Sequence, residues 1–133
     1  MPTPIKSILL VEDDDAVRQI LVRGLQVAGY EVIGAANGRE AIAQLDRRAF
    51  DLVVTDLLMP KVDGLELLQD LLKRQPPPAV IAMSGGGTYV HAAHGLNLAV
   101  KLGANAPLIK PFTMQQLLDA VKFISRHREP PPA

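Results

Sequence analysis

The chain predicts an α/β protein: a doubly wound, five-stranded parallel sheet with helices on both faces. Three observations carry that expectation. Apolar, β-rich runs alternate with segments of helical period five times along the 133 residues. The first run, residues 5–11, is apolar enough to be a strand buried on both faces, as strands of parallel sheets are. The segments between runs have helical spacing rather than hairpin turns, and strands joined that way pair in parallel through right-handed crossovers.

Each element has its own signal. After the first strand, Val17, Ile20, Leu21, Leu25 and Ala28 follow helical spacing, and Gly29 stands where a left-handed C-terminal residue is wanted. Residues 31–35 form a weaker second strand. Asn37 with Glu40 has the pattern of a capping box and opens a helix through Ile42 and Leu45 to about Arg48. Residues 52–55 make the third strand, followed by a Met59-Pro60 turn and a leucine-rich helix from Asp63-Gly64 that Pro76-Pro77-Pro78 stops. Residues 79–83 are the fourth strand. Gly85-Gly86-Gly87 opens an irregular stretch, and a helix with Leu98, Ala99 and Leu102 ends at Gly103. Residues 107–110 are a short fifth strand, and Thr113 with Gln116 caps a last helix whose buried stripe is Leu117, Ala120, Val121 and Ile124. Residues 1–127 read as one domain and 128–133, with Pro130-Pro131-Pro132, as a disordered tail, with no second domain expected.

Composition narrows the function classes. The chain is 48% hydrophobic and 21% charged, which suits a folded globular protein. Fourteen basic residues balance fourteen acidic ones, a poor footprint for direct nucleic-acid or membrane binding. Without cysteine there is no disulfide, thiolate catalysis or cysteine–zinc site. No apolar run is long enough to span a bilayer, and the N-terminus lacks a signal-peptide core, so a cytoplasmic location is expected.

In an open parallel sheet, ligands sit beyond the carboxyl ends of the strands at the point where strand order reverses. Here the first strand ends in Glu12-Asp13-Asp14-Asp15, the third in Asp56, the fourth in Ser84 and the fifth in Lys110-Pro111. Carboxylates gathered in one place repel each other. A hard divalent cation such as Mg²⁺, which prefers oxygen ligands, resolves that repulsion. Carboxylates, a hydroxyl and an ammonium around such an ion outline a phosphoryl-transfer site.

These residues carry a resemblance. Val11-Glu12-Asp13-Asp14 followed by Arg18, then Thr55-Asp56-Leu57-Leu58-Met59-Pro60 with Asp63-Gly64, then Ser84, then Lys110-Pro111-Phe112, resemble the motifs of the receiver domains of bacterial two-component response regulators, in that family's order. The resemblance runs from about Lys6 to Ile124. It implies a flavodoxin-like sheet of order 2-1-3-4-5 and a phosphoacceptor role for Asp56, fed by a histidine kinase or phosphotransfer protein. It implies Mg²⁺ held by Glu12, Asp13, Asp56 and the backbone carbonyl of Leu58. Lys110 and Ser84 would contact the phosphoryl oxygens. Asp14 and Asp15 are expected to serve the N-terminus of the following helix, and Arg18 to be a solvated helix residue.

The chain departs from that family in three places. Pro107 stands where an aromatic usually precedes the lysine by three positions and toggles on phosphorylation; a proline there suits an edge strand. Residues 85–95 are longer than usual, and an order–disorder change around Tyr89 is expected to replace the toggle. His91 and His94 lie three apart and are read as surface histidines. The expected function is a stand-alone receiver that signals by binding an unidentified protein when phosphorylated, with slow self-dephosphorylation at most. Rival readings are a degenerate receiver that binds constitutively and a Mg²⁺-dependent phosphohydrolase. Leu58, two positions after Asp56, offers no general acid for the latter.

Overall fold

The computed structural model describes residues 4–56, 63–84 and 104–128. They form β1 (Ser7–Val11), α1 (Asp15–Val27), β2 (Glu31–Ala35), α2 (Gly38–Arg47), β3 (Leu52–Asp56), α3 (Asp63–Lys73), β4 (Ala79–Ser84), β5 (Ala106–Ile109) and α4 (Met114–His127). The five strands make one parallel sheet of order β2-β1-β3-β4-β5, as expected. The expected helix ending at Gly103, and the readings placed on Met59-Pro60, Tyr89, His91, His94 and residues 85–95, lie outside the described residues.

Successive strand residues point to opposite faces, and that alternation divides the core in two. Leu9, Val11, Val53, Val80 and Ala82 pack with Ala41 and Leu45 of α2 and Leu67, Leu68 and Leu71 of α3. Ile8, Leu10, Leu52, Val54, Ile81 and Met83 pack on the other face with Leu21 and Leu25 of α1 and Leu117, Val121 and Ile124 of α4. Neither face of β1 or β3 reaches solvent, which is why Ile8–Val11 and Leu52–Val54 are apolar without a break.

Helix ends follow their local chemistry, with one shift. Gly29 adopts φ 105° after α1, a conformation that costs a glycine nothing extra. Thr113 and Gln116 close a full capping box on α4. On α2 the box is incomplete. Asn37 accepts from the Glu40 amide, but Glu40 Oε2 accepts from the amide of Ala36, one residue before the cap. The fifth strand begins one residue earlier than expected and ends at Ile109, so Lys110 lies just beyond it; Pro107 is its second residue, on the sheet edge.

The opposite end of the sheet is tied by Asp51. Its Oδ2 accepts from the amides of Lys6 at 2.9 Å and Ser7 at 3.1 Å, and its Oδ1 lies 3.3 Å from Arg128 Nη1. Ser125 Oγ accepts from the Ile5 amide at 2.7 Å, so the end of α4 is fastened to the start of β1. Arg128, assigned to a loose tail on sequence, is thus packed against Asp51, its side chain 15% exposed.

Candidate phosphoryl-transfer site

Parallel strands of similar length in matched register end together. Val11 is level with Thr55, Asp56 with Met83, and Ser84 with Ile109, so Glu12, Asp56, Ser84 and Lys110 all fall on one edge. The Glu12 amide donates to Ala35 O at 3.0 Å, extending the β1–β2 ladder one residue past β1. This holds Glu12 in line with the sheet and turns its side chain inward, where it is 1% exposed. Asp13 follows on the solvent side, and Asp56, the last residue of β3, is buried.

Carboxylate oxygens of Glu12, Asp13 and Asp56 lie within 4.8 Å of one another. Lys110 offsets part of that charge: its Nζ is 2.8 Å from Asp56 Oδ2 and 2.5 Å from Glu12 Oε1. Burial pushes the Glu12 carboxyl above its ordinary value against the pull of Lys110, and the neighbouring Asp13 and Asp56 add to the rise. Burial works against the Lys110 ammonium, but its bonds to Asp56 and Glu12 outweigh this and hold its pKa above that of a free lysine. The lysine therefore stays charged at neutral pH, while the carboxylate group remains short of positive charge.

The donor set fits a hard divalent cation: three oxygen ligands within reach, two on buried residues and one exposed. Asp14 and Asp15 are committed elsewhere. Asp14 Oδ1 accepts from the Val17 amide as the N-cap of α1, and Asp15 Oδ1 pairs with Arg18 Nη2 at 2.5 Å. Chemically, the arrangement offers a carboxylate nucleophile beside an ammonium and a candidate cation site. Ser84 ends β4, between the strands that carry Asp56 and Lys110. Leu58 lies outside the described residues.

Arg18 corrects the sequence reading. Its Nη1 donates to the backbone carbonyl of Glu12 at 2.8 Å, and its side chain is only 19% exposed rather than solvated. One signal was available: Gly34, a glycine inside a strand, marks a place where something approaches closely. The Arg18 stem fills that place, with Cδ 3.2 Å and Cγ 3.3 Å from where a Cβ on residue 34 would stand.

Comparison with known proteins points to one family. The family profile described as response regulator receiver domain matches residues 8–122. The probable transcriptional regulator ycf27 of Cyanophora paradoxa is 36% identical over 126 residues, 95% of this chain and 51% of that protein. The sensor kinase CckA of Brucella abortus is 42% identical over 120 residues, 87% of this chain and 12% of that protein. This chain thus spans about half the length of the first of these relatives and a small part of the second. Among solved structures, a response regulator receiver domain protein from Clostridium thermocellum superposes with TM-score 0.81 at 32% identity, covering 92% of this chain and 96% of that one.

Proposed function

This chain belongs to the response regulator receiver domain family of two-component systems, and from that membership we propose that Asp56 is its phosphoacceptor. An Asp56 carboxylate oxygen attacks the phosphorus of a phosphohistidine on a kinase or phosphotransfer protein. The P–N bond breaks, the imidazole leaves with the bonding pair and takes up a proton from solvent, and an acyl phosphate remains. Lys110 follows the charge as it moves from the carboxylate onto the phosphoryl oxygens, and Ser84 donates a hydrogen bond to one of them. Glu12, Asp13, Asp56 and the Leu58 carbonyl would hold Mg²⁺, which when bound neutralises charge on the incoming phosphoryl group.

The observation that carries this reading is the Lys110 ammonium shared between Asp56 and Glu12 inside a set of carboxylates. A buried strand tip needs a reason to hold such charge, and phosphoryl transfer supplies one. The phosphorylated form would signal by binding a further protein, and its hydrolysis would be slow. Incubation with a small acyl phosphate donor and Mg²⁺, read by intact mass, tests the assignment. One phosphoryl group is expected with Mg²⁺, and none after EDTA or in Asp56→Asn. A wild-type chain that takes no phosphate under these conditions would favour a constitutive interaction module, the reading to which Pro107 on β5 lends support.

A further inference from the structure

We infer that Arg18 is a positioning residue for the cation site: it fixes the peptide between Glu12 and Asp13, and through it the directions in which both acids leave the backbone. This rests on the reading of Glu12, Asp13 and Asp56 as cation ligands and adds a residue to it. The peptide that joins Glu12 to Asp13 lies just beyond the end of β1. The Glu12 amide is tied to Ala35 O at 3.0 Å. Its carbonyl is tied to Arg18 Nη1 at 2.8 Å. With both ends held, the rotation about the Glu12 Cα–C bond is fixed, and so is the plane from which Asp13 departs.

Arg18 is itself held on three sides. Asp15 Oδ1 takes its second guanidinium nitrogen. Its backbone amide donates to Asp14 O within α1 at 2.9 Å. Its stem lies over Gly34 of β2, in space that any larger residue would fill. A charge-assisted bond from a planar, restrained guanidinium is stronger and more directional than one from a mobile ammonium. Arg18 thus links β2, α1 and the acidic turn into one unit.

The sign of the effect separates positioning from electrostatics. Arg18 is a cation near a site for cations, so by charge alone its removal makes the site more negative and tightens Mg²⁺ binding. As a positioning residue, its removal loosens the acids and weakens binding. Mg²⁺ affinity measured calorimetrically on the full chain should fall about tenfold in Arg18→Ala, the scale of one charge-assisted hydrogen bond. Gly34→Val keeps every charge and favours the strand, yet displaces the Arg18 stem; it should weaken binding in the same direction. Unchanged or tighter binding in Arg18→Ala, or an unaltered affinity in Gly34→Val, overturns the role of Arg18. Failure of the wild-type chain to bind Mg²⁺ instead overturns the cation site, and this inference with it.

Discussion

Lys110 and Glu12, 98 residues apart in sequence, meet at 2.5 Å across the carboxyl edge of the sheet. The lysine stands just past β5, an edge strand, and reaches past β4 and β3 to a carboxylate at the end of β1. On its way it contacts Asp56 at 2.8 Å. One ammonium therefore serves two buried carboxylates, and a divalent cation entering the same group must share them with it.

Lys110→Met should accordingly separate stability from cation binding. Without Mg²⁺ it removes the ammonium that Glu12 and Asp56 share and should cost about 2–3 kcal/mol, below the ~3–5 kcal/mol of a fully buried pair because the lysine is partly exposed. Urea unfolding should show more of that loss recovered by MgCl2 than the wild type gains from it. In the wild type, with the carboxylates ionised, the lysine's contribution is present at pH values below the ~10.4 of an unfolded lysine and disappears as pH rises through the higher native value.

Asp13 and Asp14 adjoin in sequence but should fail in different assays. Asp14 caps α1 through the Val17 amide at 3.0 Å, so Asp14→Ala should cost about 1 kcal/mol in denaturant unfolding and leave Mg²⁺ affinity nearly intact. Asp13 is exposed and belongs to the carboxylate group, so Asp13→Ala should weaken Mg²⁺ binding tenfold or more with little loss of stability. Equal loss of affinity in the two variants would remove Asp13 from the site.

Asp51 should set part of the acid limit of the fold. Burial alone would raise its pKa, but the amides of Lys6 and Ser7 and the Arg128 guanidinium hold it below the ordinary value. A depressed native carboxylate contributes fully above the unfolded value of ~3.9, and that contribution is lost as pH falls through the native one. Asp51→Asn should be destabilised by about 1–3 kcal/mol at pH 7. Its stability should also fall less steeply than that of the wild type below about pH 4, measured by thermal unfolding across pH.

Gly24 sets two effects against each other. Alanine in mid-helix gains about 1 kcal/mol over glycine. A Cβ there would overlap Met114 Sδ and stand 2.8 Å from its Cε, on the contact between α1 and α4. Gly24→Ala alone should be close to neutral because Met114 must move. In a Met114→Ala background the same change should stabilise by about 1 kcal/mol, a coupling that a double-mutant cycle of unfolding free energies would read.

Within the described residues, the sheet, its helical crossovers and the acids at the strand ends were legible because each rests on a local pattern. Alternating side chains in Leu9, Leu10 and Val11 encode two buried faces, and helical spacing in Leu21 and Leu25 encodes one. Capping was legible to within one residue: Thr113 and Gln116 closed as read, whereas Glu40 bonded to Ala36, since the carboxylate's reach depends on how the chain enters the helix. Arg18 was misread because the backbone carbonyl it serves carries no mark in sequence.

The sequence by itself determined the fold class, the five strands and the residue types at their carboxyl ends, because hydrophobic period and turn chemistry act over a few residues. Only the tertiary structure decided that Lys110 bridges Asp56 and Glu12, that Arg18 bonds the Glu12 carbonyl over Gly34, and that Arg128 closes on Asp51. Each of these contacts joins separate elements. Their distances depend on strand order, register and the length of a side chain laid across a neighbouring element, quantities that exist only once the sheet has formed.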